Sequence, residues 1–272
     1  MHILRTVLFF LALGASGFLG WRFYETLQDP RQDPRGSGTI TADEQPTADQ
    51  LAAARRDVEK TLKQSPEFAP YFASLDKNYP SDYMRILAGF VARAAKSGHA
   101  ETPDYYVAEA MRALRQSRGI LAAKASDPVL QEVLEQQLEF VSAMEAADPR
   151  VCAEFLHGGA SNGFFEFSQA HRGLMRRLAQ AALDAMLDGQ QQKIERATPD
   201  DADFTMLDET LQANGLDRPQ IETLLDAKVQ DPPLSDTSMC KAGRVYLETL
   251  RALPDEARMR IYALALTLQA RT

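Results

Sequence analysis

The segment from Glu154 to Met175, EFLHGGASNGFFEFSQAHRGLM, crowds chemistry-bearing residues together. Two of the chain's four histidines, His157 and His171, lie within it. Ser161 stands between Gly159 and Gly163, where a strained turn could present its hydroxyl as a nucleophile. Glu154 and His157 are three residues apart, which puts a carboxylate and an imidazole on one helical face, within reach of a shared metal ion. Glu166 could serve as a general acid if burial raised its pKa. Arg172, Arg176 and Arg177, at i, i+4 and i+5, form a basic cluster that an acidic partner surface could meet.

Each chemistry needs a particular context. Gly159-Ala160-Ser161-Asn162-Gly163 is similar to the nucleophile turn of serine hydrolases, which implies a strand before the serine and a helix after it. Here helical sequence precedes it. The only histidine downstream of Ser161 is His171, too close for that fold. Di-iron bundles use two Glu-x-x-His pairs and two further carboxylates. No second copy occurs, and His99 and Glu101 are too close in sequence to form one. A histidine at a helix end donates more simply to the last carbonyls.

Glu166 with Gly173-Leu174-Met175 resembles the catalytic Glu and downstream Gly-Leu-Met of lytic transglycosylases. The resemblance implies a peptidoglycan-cleaving enzyme with Glu166 as its acid. It spans only Glu166 to Met175. The spacing is shorter than the loop that family needs, and its Ser after the Glu is displaced to Ser168. The bland alternative makes Phe164, Phe165 and Phe167 core, with Glu166 solvated or paired with a nearby Arg. No Walker or Rossmann glycine pattern occurs, and Asp200, Asp201 and Asp203 lack the Gly and terminal Glu of a calcium loop. No cofactor or metal is expected. Glu166, His157 and His171 are the catalytic candidates.

Cys152 and Cys240 are the only cysteines. Each falls in the first turns of an expected helix. In an exported protein two cysteines are normally paired, and this pair would tie the middle of the chain to its C-terminal helices. Two unpaired buried thiols, or a reactive thiol activated at a helix N-terminus, are the rival readings.

Residues 6 to 21 carry no charge and are flanked by Arg5 and Arg22. As a helix they span about 24 Å. Snorkelling arginines with Trp21, Phe23 and Tyr24 would extend that towards a hydrocarbon core of roughly 30 Å. A cleaved signal peptide is the rival, with Ala15 and Gly17 near the cut, but Phe18, Leu19 and Trp21 continue the apolar run beyond it. The flanking charge slightly favours the N-terminus inside and the body outside the cytoplasm. The expected organisation is therefore an anchor or signal over residues 1–24, a flexible linker over 25–46 broken by Pro30, Pro34, Gly36, Gly38 and Pro46, and a helical extracytoplasmic domain over 47–272.

The body that these segments precede is ordinary in hydrophobic content, 45%, and acidic, with net charge −8. That excludes nucleic acid as a bulk partner and argues against broad docking on anionic lipid. Ala, Leu, Gln, Glu and Arg dominate, and strict apolar/polar alternation is missing. A capping residue followed by proline recurs at Ser65-Pro66, Thr102-Pro103, Asp127-Pro128, Asp148-Pro149 and Thr198-Pro199. Thr47 and Gln50 read as a capping box. These signals predict eleven helices, near 48–64, 66–76, 80–97, 103–123, 128–146, 149–157, 166–196, 199–213, 219–229, 236–252 and 254–270. Leu130, Val133, Leu134, Leu138, Val141 and Met144 make one of several apolar stripes. Starts at 66, 80, 103, 128 and 149 follow no fixed period, unlike a tetratricopeptide array repeating about every 34 residues.

The expected fold class is thus all-α: an irregular multi-helix bundle, or short helical array, behind one N-terminal transmembrane or signal helix. The expected function is non-enzymatic, an interaction protein of the cell envelope held to the membrane through residues 6–21 and binding a protein partner there. An envelope lytic enzyme using Glu166 and an oligomeric assembly factor are the alternatives.

Overall fold

The structure, a computed structural model, describes residues 45–271. The anchor expected over 6–21, and nearly all of the linker expected over 25–46, lie outside the described residues. Those described form twelve α-helices and no strand. They are α1 (Ala48–Gln64), α2 (Ala69–Asn78), α3 (Pro80–Ser97), α4 (Pro103–Ala122), α5 (Asp127–Ala147), α6 (Pro149–Leu156), α7 (Asn162–Ala170), α8 (Arg172–Gln192), α9 (Asp201–Ala213), α10 (Arg218–Asp226), α11 (Asp236–Ala252) and α12 (Asp255–Gln269). None of these helices is long and apolar enough to cross a membrane.

Local chemistry sets most of the helix starts. Thr47 caps α1 in a reciprocal box with Gln50, and Thr102 caps α4 by accepting from the Tyr105 N–H. Asp148 accepts from the N–H groups of Arg150 and Val151 ahead of Pro149, opening α6. Asp200 with Asp203, and Asp217 with Gln220, make two further boxes. At Ser65-Pro66 the chain first makes a turn, with the N–H groups of Phe68 and Ala69 bonded to the Ser65 carbonyl, so α2 starts only at Ala69.

Packing orders the rest. α8 runs between α4 and α5, α11 lies on α5 and α6, and α12 touches α4, α5 and α11. α1 to α3 pack together beside α4 and α8, while α9 and α10 cover α11. The core holds the fully buried Tyr71, Tyr106, Phe140, Tyr246 and Tyr262, the last donating its hydroxyl to Gln137 Oε1 at 2.8 Å. Gly189 allows α8 its close approach to the α4–α5 turn: a Cβ there would sit 1.8 Å from the Leu121 carbonyl oxygen.

The helix expected over 166–196 is two helices. The chain breaks at His171, whose backbone leaves helical geometry (φ −125°, ψ 40°) while its N–H still bonds the carbonyls of Phe167 and Ser168. α8 then ends at Lys193 in the left-handed region, and the chain beyond lies along the α4–α5 turn. There the Ile194 N–H reaches the Lys124 carbonyl at 3.0 Å, and Arg196 donates to the carbonyls of Ala123 (2.9 Å) and Ala125 (2.6 Å). A guanidinium on these carbonyls satisfies groups that the α4–α5 turn leaves open.

Candidate functional site

The residues around α6, α7 and the start of α8 have individual structural partners. Ser161 is the N-cap of α7: its Oγ accepts from the Phe164 N–H at 3.4 Å and donates to Glu154 Oε2 at 2.5 Å. The glycine-flanked serine therefore lies in a turn between two helices, hydrogen-bonded to a carboxylate. Glu154 is also 3.9 Å from Arg150. His157 follows the last turn of α6 and is exposed, its backbone N–H closing the helix on the Ala153 carbonyl at 3.0 Å.

α7 turns Phe164 and Phe167 into the core and leaves Glu166 exposed on the opposite side. Phe164 stacks on Phe155, and Phe167 meets Phe140 edge-on. His171 is half-buried, its ring stacked on Phe167 with centroids 4.2 Å apart and its Nδ1 3.0 Å from the Phe167 carbonyl oxygen. Thus His171 belongs to the joint between α7 and α8, while Glu166 and His157 face solvent.

The arginine cluster divides into separate roles. Arg172 grips Asp104 of α4 with Nε at 3.2 and 3.3 Å and Nη2 at 2.9 Å. Asp104 is 1% exposed and also accepts from Ser168 Oγ at 3.3 Å. Hydrogen bonds from this guanidinium to the carboxylate hold the Arg172 pKa above its ordinary value. Arg177 donates to Gln136 Oε1 at 3.1 Å and pairs with Glu139 of α5. Arg176 is exposed. Nothing in the sequence pointed to Asp104 and Ser168 as completing the Arg172 pair, because Asp104 is distant in the chain from Arg172 and Ser168 follows an aromatic run.

Cys152 on α6 and Cys240 on α11 form a disulfide across 88 residues, with Cα atoms 5.5 Å apart and both side chains fully buried. Among the described residues, no three His, Cys, Asp or Glu side chains are grouped to hold a metal ion.

A second feature lies between α4, α5, α8 and α12, with Tyr71 of α2 on its wall. It is a partly enclosed cavity of about 60 Å³, walled largely by apolar side chains such as Leu114, Val133, Leu178, Leu183 and Met186. Arg115 lines it, and its Nε–H is enclosed without a hydrogen-bond partner among the described residues. Neither Glu166, His157 nor His171 lines it. The signal for Arg115 was available: it stands at four-residue spacing with Val107, Met111 and Gly119 on the inward face of α4. No family model matches the chain, and neither a curated protein nor a solved structure matches it.

Proposed function

We propose that the chain is a membrane-anchored, non-enzymatic interaction protein of the cell envelope, whose helical body stands outside the cytoplasm and meets a protein partner there. The observation that carries this reading is the buried Cys152–Cys240 bond. Structural disulfides persist in oxidising compartments and are rare in the reducing cytosol. The uncharged run over residues 6–21, with its flanking arginines, supplies the matching route of export and tethering. The acidic surface, net charge −8 over the whole chain, suits a partner that offers basic side chains.

The non-enzymatic half of the reading rests on the separate structural duties of Ser161, Glu154 and His171. Ser161 and Glu154 bond each other at a helix start, and His171 stacks within a helix joint. The test uses a strain lacking the gene, complemented with full-length protein or with Glu166→Gln, His157→Ala or His171→Gln. Thiols are trapped in intact cells before the protein is run with and without reductant. The reading expects each variant to complement at normal protein level, with no free thiol trapped in the native fold. Loss of complementation by Glu166→Gln at wild-type abundance would overturn it in favour of an envelope enzyme. Two freely alkylated thiols would remove the argument for an exported body.

A further inference from the structure

The Arg115 cavity has properties that stable packing alone does not favour. A guanidinium beside a largely apolar void is costly unless an anion or hydrogen-bond acceptor compensates it. The other charged group that acts on Arg115 is Arg112, of the same sign, and Arg112 is itself engaged by Glu109. Burial first, and Arg112 second, pull the Arg115 pKa down to about 10. No acidic residue lines the cavity among the described residues.

Two more donors line the same space. Tyr71, whose side chain is 1% exposed, carries a hydroxyl. Gln137 uses its Oε1 to accept from Tyr262, which leaves its amide N–H groups as the part available to a ligand. Gln269 is the remaining polar lining residue. A cationic fork and neutral donors therefore accompany walls of leucine, valine, methionine and alanine. That combination suits a ligand with a planar anionic head and a short apolar tail.

Size narrows the class. A water-sized occupant needs roughly 10–15 Å³, so a cavity of about 60 Å³ admits a tail of about four to six heavy atoms. The half-buried Met111, Arg115 and Ala182 mark the side that reaches the surface, where the head would sit. We propose that this cavity is a binding site for a short-chain monocarboxylate, with the carboxylate held by the Arg115 fork and the alkyl tail inserted between α4, α5 and α8. The site is independent of any protein partner and of the residues around α7.

The experiment titrates full-length protein, in neutral phosphatidylcholine nanodiscs and low-chloride buffer, with pentanoate, 1-pentanol and pentylamine. Binding is read by calorimetry, with empty discs as the blank. We expect one saturable pentanoate site, pentanol at least tenfold weaker, and no saturable pentylamine site. Arg115→Met should weaken pentanoate at least tenfold and leave pentanol unchanged, while melting at or above the wild-type temperature because an uncompensated charge has been removed. Ala182→Phe, which fills the space, should abolish binding of both in a protein with a normal helical spectrum. Equal binding of pentanoate and pentanol, unchanged pentanoate binding in either variant, or no saturable binding to the folded wild-type chain would overturn the proposal. A short peptide that outcompetes pentanoate through its terminal carboxylate would overturn the assignment to a free acid.

Discussion

Arg172 joins the start of α8 to the start of α4 by clasping Asp104 with two of its nitrogens, and the two partners differ sharply in exposure: the Asp104 side chain is 1% accessible and that of Arg172 is 32%. The asymmetry predicts unequal mutational costs. Arg172→Met leaves a carboxylate buried with only Ser168 beside it, and breaking a buried pair in that way costs about 3–5 kcal/mol. Asp104→Asn keeps the Ser168 contact and lets Arg172 turn towards water, so about 1–2 kcal/mol is expected. Urea denaturation of the two variants and of the double mutant checks this. Equal costs, or a double mutant whose loss is the sum of the singles, would refute the coupling.

The disulfide makes a second prediction. For a loop of 88 residues, chain entropy gives about 4.6 kcal/mol, and measured losses for native bonds run at about 2–5 kcal/mol. Cys152→Ala with Cys240→Ala should lower stability within that range. Because both side chains are fully buried, reductant should reach the bond only as the protein opens. The melting temperature of the wild type should then fall on incubation with reductant, and that of the double variant should not change. A double variant as stable as wild type would deny the bond its structural role.

The helical character of the body was legible because its signals are local. Thr47 with Gln50, Thr102 before Pro103 and Asp148 before Pro149 satisfy their own helix starts within four residues, so the chemistry is written contiguously. The core roles of Phe164 and Phe167 were readable for the same reason. The break at His171 was not. Gly173 was the one helix-disfavouring residue beside it and was read within a longer helix, and what accompanies the break is tertiary: Ser168 before it and Arg172 after it both turn to Asp104 on α4. The three arginines likewise looked like one patch, but a helix carries Arg172 to α4 and Arg177 to α5. Pairing of Cys152 with Cys240 was expected from their number and the exported setting; the proximity of α6 and α11 is what the sequence alone could not supply.

Three glycines in helices separate backbone need from mere tolerance. At Gly189 a Cβ would meet the Leu121 carbonyl oxygen at 1.8 Å, and a backbone group there cannot move without displacing the α4–α5 turn. Gly189→Ala should cost about 3 kcal/mol or more, at the upper end of overpacking. At Gly243 the obstacle is the Leu156 side chain at 2.4 Å, which can change rotamer, so about 1–2 kcal/mol is expected. Gly89 is exposed within α3, with nothing within 4 Å of a Cβ, and Gly89→Ala should stabilise by about 0.5–1 kcal/mol. Denaturation midpoints decide the order; Gly189→Ala tolerated better than Gly243→Ala would contradict the close helix approach.

Asp203 makes the stability of α9 against α12 depend on pH. Arg260 donates to it through Nε at 2.8 Å and Nη2 at 2.7 Å, and the Asp200 N–H adds a bond at 3.2 Å. The Arg260 hydrogen bonds hold the Asp203 carboxyl below its ordinary value of 3.8, against burial, which pushes it up. A carboxyl whose folded pKa is depressed binds its proton more readily in the unfolded chain. Its contribution is therefore fully present above the unfolded pKa and lost as pH falls through the folded one. Asp188, accepting from the Ser126 N–H at 2.6 Å, is shifted the same way and adds to the acid-side slope. Asp203→Asn should be less stable than wild type at pH 7, and the gap should narrow steadily below pH of about 4. Urea melts from pH 7 down to about 2.5 measure it. A gap that stays constant across that range would mean that Asp203 holds Arg260 by shape alone, without the charge that the geometry assigns to it.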